Sequence, residues 1–233
     1  MRSTSSSTIG AHRPKRDVTL PAAVIFDNDG LLLDTETVWT RAEQELFERR
    51  GREFTLAHKQ KLVGTPAHIN GALLEKFLDE QGKAEVLIAE LDELVLAELR
   101  RGIETMPWAE ELVDELRERG VAVGLVSNSP RLFIEVALEL VEMSRHFDVV
   151  VSGHEVAAPK PAPDPYLEAC RQLRVDPSPD VVVLEDSPTG VASGVAAGLT
   201  VIGVPSLEGV ELDEADAVVA SLRAPELRNR LGL

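Results

Sequence analysis

The stretch Ala22-Ala23-Val24-Ile25-Phe26-Asp27-Asn28-Asp29-Gly30 indicates how this chain folds and where its chemistry lies. Its first five residues form a short apolar run rich in Val, Ile and Phe, which predicts a buried strand of a parallel sheet. Asp27 and Asp29 then fall at the carboxyl end of that strand, where open α/β sheets bind their ligands. Residues two apart in an extended segment point to the same side, so both carboxylates can face one site, and Gly30 lets the chain turn directly after them.

Two carboxylates this close repel each other when both are ionised, and either a bound cation or one retained proton relieves the repulsion. A cation would leave one carboxylate free to act as a nucleophile, whereas a proton would make the other a general acid. The same residues, together with Glu36, also match the spacing of a calcium-binding EF-hand loop. That alternative is disfavoured because Ile25 would stand at the first ligand position and because the preceding segment resembles a strand.

The length, composition and charge of the chain limit the classes of protein to which it can belong. With 233 residues, of which 44% are apolar, the chain can build one good-sized domain or a domain with a smaller insert. Its formal charge of −16 argues against a nucleic-acid partner and against an anionic membrane surface. Cys170 is the only cysteine, so no intrachain disulfide can form, and no apolar run approaches the length that spans a bilayer. We therefore expect a monomeric, cytoplasmic protein.

The first 20 residues differ from the rest in composition. They are rich in Ser and Thr, carry several Arg and Lys residues, and contain no acidic residue before Asp17. This segment lacks the apolar stretch of a secretory signal and resembles a transit peptide only loosely, so we interpret residues 1–20 as a disordered tail.

From Thr35 onwards the apolar residues are spaced as on one face of a helix. The predicted helices are Thr35–Arg50, Leu56–Val63, Ala67–Gln81 and Glu85–Arg101. No convincing strand pattern lies between Thr37 and Glu104. An all-helical block of this size between strands of a parallel sheet predicts an inserted helical cap at residues 37–104, with residues 21–36 and 105–233 forming the core.

Beyond this block, strand and helix patterns alternate. The predicted strands are Val121–Val126, Phe147–Val151, Val181–Leu184, Thr200–Val204 and Ala217–Val219, and the predicted helices are Ala109–Arg119, Pro130–Leu140, Pro165–Leu173 and Thr189–Ala197. This alternation predicts an α/β fold with a doubly wound, Rossmann-like parallel sheet. Three glycines repeat every fourth residue, at Gly190, Gly194 and Gly198, and they predict a helix that packs closely on the sheet.

Further polar groups follow three of these strands. They are Ser127-Asn128-Ser129, Lys160 and Glu185-Asp186. Each alone could be structural, as a helix cap or as a solvated loop lysine. In a parallel sheet, however, all of them gather at the edge where Asp27 and Asp29 lie, and capping does not readily explain four polar strand ends. The sequence therefore predicts one site at this edge.

These motifs resemble those of the haloacid dehalogenase superfamily of phosphotransferases. The match consists of Asp27-Asn28-Asp29-Gly30-Leu31-Leu32-Leu33-Asp34, Ser127, Lys160 within Lys-Pro-Ala-Pro-Asp, and Glu185-Asp186-Ser187-Pro188-Thr189-Gly190. All four motifs occur in order and cover the chain from about Ala22 to Gly198. The helical insert after the first motif looks like the cap of the branch that contains sugar-phosphate phosphatases and β-phosphoglucomutases.

The resemblance implies a role for each residue. Asp27 would attack phosphorus and form an aspartyl-phosphate, and Asp29 would act as general acid and then as general base. Ser127, with Asn128 beside it, and Lys160 would hold the phosphoryl oxygens. Mg²⁺ would be bound by the Asp27 carboxylate, by the main-chain carbonyl of Asp29 and by Asp186, with Glu185 in or near the coordination shell. Trp39 and the loop at Gly64 and Thr65 would contact the substrate.

We therefore expect a Mg²⁺-dependent phosphatase for a small phosphate monoester such as a sugar phosphate. The alternatives are a β-phosphoglucomutase-like phosphomutase and a non-catalytic phosphate- or metal-binding protein. In the mutases a histidine lies about a dozen residues beyond the nucleophile, where this chain has Trp39. An indole N–H only donates a hydrogen bond and exchanges no proton at neutral pH, so we expect water to be the usual phosphoryl acceptor.

Overall fold

The structure is a computed structural model that describes residues 19–62, 67–206 and 209–233, without the side chains of residues 67 and 68. Within these ranges one sheet contains six parallel strands, which are β1 (Ala23–Asp27), β2 (Ala122–Ser127), β3 (Val149–Ser152), β4 (Val181–Glu185), β5 (Thr200–Gly203) and β6 (Ala217–Val218). Their spatial order is β3-β2-β1-β4-β5-β6. The predicted doubly wound parallel sheet is confirmed.

The helices in the described ranges follow the predicted pattern closely. They are α1 (Thr35–Glu48), α2 (Leu56–Leu62), α3 (Ala67–Leu78), α4 (Ala84–Arg101), α5 (Ala109–Glu118), α6 (Arg131–Leu140), α7 (Asp164–Leu173), α8 (Pro188–Ala196) and α9 (Pro225–Leu231). The pattern analysis did not predict α9. No helix in the described part of the chain is long and apolar enough to cross a membrane.

Strand β1 is the centre of the sheet and is buried along its whole length. It pairs with β2 on one side and with β4 on the other. The chain builds β2 and β3 on one side of β1 and then crosses over to build β4, β5 and β6 on the other. This reversal makes the carboxyl ends of β1 and β4 a topological switch point, which is the place where such sheets bind ligands.

The two faces of β1 carry separate cores. Val24 and Phe26 contribute to one large core with α1, α4, α5 and α6, and Phe26 packs edge-on against Phe147 with ring centroids 6.3 Å apart. Ile25 points to the opposite face, where it joins Tyr166 and Cys170 of α7. Because both faces are covered, the strand consists of a continuous apolar run, as the sequence indicated.

Helices α1 to α4 lie in the chain between β1 and α5 and pack against one another. The chain enters this block beside the point where it leaves, since the Asp34 amide donates to the Glu104 carbonyl at 3.0 Å. Arg50, just beyond the end of α1, pairs with Glu80, just beyond the end of α3, at 2.7 Å and with Glu90 of α4 at 2.6 Å. The predicted apolar face of α1 is buried. On α4 the sequence pattern predicts an apolar face made of Val86, Leu87, Leu91, Leu94, Val95 and Leu99. Val86 departs from it because it is 62% exposed, whereas the other five are buried.

Candidate active site

Lys160 is the cation at the centre of the switch point. Its ammonium lies 2.5 Å from Asp27 Oδ1, 2.7 Å from Glu185 Oε1 and 3.0 Å from the Val126 carbonyl. Burial works to lower the pKa of Lys160, but the carboxylates of Asp27 and Glu185 outweigh it, so the net pKa is raised and the ammonium stays charged. Each of its three N–H groups thus has an acceptor within the protein.

Glu185 is held on both oxygens. Oε1 accepts from Lys160 Nζ and from the Tyr166 hydroxyl at 2.6 Å, and Oε2 accepts from the main-chain amides of Asp186 and Ser187 and from the Ser187 hydroxyl. The side chain is fully buried, and a Cβ at Gly190 would come within 1.8 Å of its Oε1. The motif Glu185-Asp186-Ser187-Pro188-Thr189-Gly190 therefore fixes one carboxylate rigidly under Lys160.

Asp29 faces a row of hydrogen-bond donors on the neighbouring strand end. The hydroxyls of Ser127 and Ser129 both donate to its Oδ2, the latter at 3.1 Å, and the Asn28 amide donates to its Oδ1 at 3.2 Å. The Ser127 hydroxyl in turn accepts from the Ser129 amide. This network positions the Asp29 carboxyl group beside Asp27 at the edge of the sheet.

Asn128 contacts the main chain of Lys160 in the structure. Its Nδ2 donates to the Lys160 carbonyl at 3.1 Å, and its Oδ1 accepts from the Lys160 amide at 3.0 Å. Both ends of the amide are therefore used to anchor the loop that carries Lys160. Sequence reasoning had proposed Asn128 as a substrate contact, a role that these hydrogen bonds do not include.

The acidic groups fit a divalent cation. Carboxylate oxygens of Asp27, Glu185 and Asp186 lie within 4.8 Å of one another. Burial raises the pKa of Asp27 well above its usual range, and burial followed by the nearby Glu185 raises that of Asp186 to about 7. A bound cation would favour the ionised forms of these carboxyl groups, and oxygen donors of this kind suit Mg²⁺.

Two of these carboxylates keep a free oxygen. Asp27 Oδ1 is engaged by Lys160, and Asp186 Oδ2 accepts from Ser206 at 2.6 Å, but the second oxygen of each has no hydrogen-bond donor among the described residues. Glu185, by contrast, has donors on both oxygens. Gly30 is required in this neighbourhood because its φ is +85° and a Cβ there would lie 2.4 Å from Asp186 Oδ2.

The expected substrate contacts fall at different places. Trp39 lies on α1, where its indole packs edge-on against Phe133 of α6 with centroids 6.0 Å apart, and it lines a small cavity next to Asp29. Gly64 and Thr65 lie outside the described residues. Sequence reasoning missed Tyr166, which reaches Glu185 from α7. The sequence offered one signal for Tyr166, its position six residues after Lys160. That signal can be interpreted only when the position of α7 relative to the sheet is known.

Comparison with known proteins agrees with the fold. Residues 24–204 match the family described as haloacid dehalogenase-like hydrolase. Since this range covers most of the chain, the protein belongs to the haloacid dehalogenase-like hydrolase family.

Particular relatives are phosphatases. The chain is 35% identical over 207 residues to the bifunctional riboflavin kinase/FMN phosphatase of Arabidopsis thaliana, covering 87% of this chain and 54% of that protein, so it spans about half of that relative's length. It is 34% identical to (DL)-glycerol-3-phosphatase 2 of the same organism, covering 85% and 86% of the two chains. The solved structure of CbbY from Rhodobacter sphaeroides in complex with phosphate is similar as well, with 27% identity, a TM-score of 0.75 and coverage of 87% and 95%.

Proposed function

We propose that the protein is a Mg²⁺-dependent phosphatase that hydrolyses a small phosphate monoester, such as a sugar phosphate, through an aspartyl-phosphate on Asp27. The observation that carries this proposal is the pair of carboxylates at the end of the central strand. Asp27 is held by the Lys160 ammonium at 2.5 Å, while Asp29 is held separately by Ser127 and Ser129. The two carboxyl groups thus have different partners and can take different roles. The names of the relatives support the same class of reaction.

In the first step an oxygen of Asp27 attacks the phosphorus atom and the bond between phosphorus and the leaving alcohol breaks. Asp29, in its protonated form, gives its proton to the leaving oxygen. In the second step a water molecule attacks phosphorus, Asp29 takes back a proton, and the bond between phosphorus and Asp27 breaks to release inorganic phosphate. Asp29 therefore ends the cycle in the protonation state in which it began.

Lys160 and Ser127 would stabilise the phosphoryl oxygens during both steps. Because all three N–H groups of Lys160 have acceptors in the protein, Lys160 reaches a phosphoryl oxygen by sharing the N–H that now points to Asp27. Glu185 and the Val126 carbonyl keep the ammonium in place when this happens. Asn128 holds the loop of Lys160 and acts as a positioning residue.

Asp27, Asp186 and the main-chain carbonyl of Asp29 would hold Mg²⁺, and the ion would supply positive charge against the phosphoryl oxygens. The free oxygens of Asp27 and Asp186 support this assignment. Glu185 is less suited to direct ligation because both of its oxygens already accept hydrogen bonds. We propose that Glu185 contributes to the site by fixing Lys160.

Helices α1 to α4 would act as a cap over this edge of the sheet. The entry and exit connections of the block lie side by side at Asp34 and Glu104, which suits a pair of hinges. Helix α4 packs against α6 of the core, and Trp39 of α1 meets Phe133 of the same core helix. These contacts support a cap that would cover the site and exclude water from it.

A phosphomutase would need a proton-exchanging group of the cap near Asp29. The described residues that line the cavity next to Asp29 include Trp39 and no histidine. An indole exchanges no proton at neutral pH, and this favours water as the phosphoryl acceptor.

The direct test is the release of inorganic phosphate from p-nitrophenyl phosphate. We expect turnover with Mg²⁺, none in excess EDTA, and recovery when Mg²⁺ is added back. Asp27→Asn should abolish turnover because an amide is a poor nucleophile, whereas Asp176→Asn, the same change at an exposed loop position, should leave it unaltered. Near-wild-type kcat in Asp27→Asn, or full activity in chelator, would refute the proposal.

A further inference from the structure

A small cavity beside Asp29 shows where the leaving group of the substrate would lie. The cavity is enclosed by α1, α4 and α6 and measures about 10 Å³, which is room for about one water molecule. If Asp29 protonates the leaving oxygen, the rest of the leaving group must enter this space, and the cap must move outward to admit it. The residues that line the cavity therefore indicate which kinds of leaving group the site can bind.

The walls of the cavity are mainly apolar and lack a cation. Trp39 of α1, Val95 and Leu99 of α4, and Phe133 and Ile134 of α6 form most of the lining, and no Lys, Arg or His is present among the described residues there. A second phosphate or a carboxylate on the leaving group would thus be buried without a counter-charge.

Two basic side chains of α1 and α2 are already engaged in ion pairs. Lys59 pairs with Glu36 at 2.9 Å and with the buried Glu43 at 3.1 Å. Arg41 pairs with Glu98 at 2.9 Å. Moving Lys59 to a substrate anion would leave the buried Glu43 without the cation that now pairs with it, which is costly.

The same cavity contains two side chains with unsatisfied oxygens. Asn28 Oδ1 and Thr35 Oγ1 are buried and have no hydrogen-bond partner among the described residues, and both side chains line the cavity. Asn28 is 1% exposed and Thr35 is 4% exposed. Buried polar atoms almost always have a partner, so a group that displaces the contents of this cavity is expected to supply hydrogen bonds to both atoms. Hydroxyl groups of a leaving alcohol meet this requirement.

We propose that this site selects phosphate monoesters with an uncharged, hydroxyl-bearing leaving group, a polyol or a sugar, and rejects those that carry a second anion. The apolar rings of Trp39 and Phe133 would face the carbon skeleton, while Asn28 and Thr35 would bind its hydroxyls. This inference rests on the proposed phosphatase function and adds the class of substrate to it.

The first test compares pairs of substrates that differ by one anionic group. Glycerol 3-phosphate and 3-phosphoglycerate have the same carbon skeleton, but a carboxylate replaces an alcohol in the second. Fructose 1-phosphate and fructose 1,6-bisphosphate form a second pair. We expect kcat/KM to favour the neutral member of each pair by roughly 100-fold.

The possible outcomes distinguish the inference about the substrate class from the proposed phosphatase function. Ratios near one, or a preference for the anionic member, overturn the inference while the phosphatase stands. Absence of hydrolysis of every substrate, including p-nitrophenyl phosphate with Mg²⁺, overturns the proposed function itself.

The second test uses Thr35→Val, which removes the hydroxyl and keeps the shape. Because Thr35 Oγ1 has no partner, its loss should not lower the Tm. The ratio of kcat/KM for glycerol 3-phosphate to that for p-nitrophenyl phosphate should fall about tenfold, the effect of one lost hydrogen bond.

The matched control is Thr40→Val on the same helix, where Oγ1 donates to the Glu36 carbonyl at 2.7 Å. That change should leave the substrate ratio as in the wild type. For Thr35→Val, a lowered Tm together with an unchanged ratio would show a structural role and contradict the proposal.

Discussion

Tyr166 connects the core of α7 to the charges of the site. Its hydroxyl donates to Glu185 Oε1 at 2.6 Å, and the face of its ring lies 5.0 Å from the Lys160 ammonium. The side chain is fully buried, and burial, followed by the negative charge of Glu185, raises the pKa of Tyr166 well above its usual range. The hydroxyl therefore stays protonated and can only serve as a donor to Glu185.

We predict that Tyr166→Phe lowers kcat by about tenfold and leaves KM nearly unchanged, since a group that orients the site is lost while the substrate contacts stay. Steady-state kinetics on p-nitrophenyl phosphate measures both constants. Cys170→Ala, one turn further along α7 and equally buried, is the control and should keep kcat. A kcat equal to that of the wild type in Tyr166→Phe would contradict the positioning role.

The sequence allowed these polar residues of the site to be located because each lies at or beyond the carboxyl end of a strand. Asp27, Ser127, Lys160, Glu185 and Asp186 come together in the structure as their positions indicated. Partnerships between side chains were not predictable. The hydrogen bonds from Asn128 to the Lys160 main chain, and from Tyr166 to Glu185, depend on how a loop and a helix pack in three dimensions.

At the scale of elements, the glycines of α8 bring that helix onto the sheet. A Cβ at Gly194 would lie 2.7 Å from Val201 Cγ2, and one at Gly190 would overlap Glu185. Gly198 plays a different part, because it has a φ of +75° just after the helix and nothing within 4 Å of its would-be Cβ. Two of the three repeated glycines thus permit close packing, and the third ends the helix.

We predict that Gly190→Ala lowers both activity and stability, whereas Gly198→Ala lowers stability alone. Gly198→Ala should lower the free energy of unfolding by about 1–2 kcal/mol through backbone strain and keep kcat. Gly190→Ala must displace Glu185 and should lose most of kcat in addition to roughly 1–3 kcal/mol of stability. Urea unfolding and phosphatase assays on both variants check this. A fully active Gly190→Ala would contradict the described contact.

Helices α1 and α2 share a buried acid–base cluster of Glu36, Glu43 and Lys59. Burial raises the pKa of Glu43 from 4.5 to about 7, although Lys59 lies only 3.1 Å away and acts to lower it. The folded state therefore binds a proton at Glu43 more tightly than the unfolded state does. The free energy of unfolding should fall as the pH rises from about 4.5 to about 7 and then level off.

We predict that Glu43→Gln is more stable than the wild type at pH 8, by at most about 3 kcal/mol, and nearly equal to it at pH 5. At pH 5 the native glutamic acid is already neutral, so the amide changes little. Urea unfolding at the two pH values provides the measurement, with the exposed Glu45→Gln on the same helix as control. A stabilisation at pH 8 no larger than at pH 5 would argue against the raised pKa.

Most of the element bounds could be predicted from apolar spacing, glycine and proline. Helix α9 could not, because it has only seven residues and two buried leucines, Leu227 and Leu231, too few to define a periodicity. Val86 was misplaced because it sits next to buried Leu87 in an apolar run, and only packing with neighbouring helices decides which of the two faces inward.

At the scale of the whole molecule, the order of the strands explains the position of the site. The central strand β1 ends in Asp27, and the order in which strands are added to the sheet reverses between β1 and β4, so Glu185 and Asp186 arrive beside Asp27. Helices α1 to α4 depart from the same edge and return to it. This edge of the sheet therefore brings together the proposed nucleophile, the acidic groups and the connections to the proposed cap.

The most direct test of the account is the detection of a phosphoryl group on Asp27. The enzyme would be mixed with Mg²⁺ and p-nitrophenyl phosphate, quenched in acid during turnover, digested and analysed by mass spectrometry. We predict that the peptide containing Asp27 gains the mass of one phosphoryl group, that borohydride reduction places the modification on Asp27, and that Asp27→Asn shows none. Steady turnover with an unmodified Asp27 peptide, or with the phosphoryl group on Asp29, would contradict covalent catalysis at Asp27.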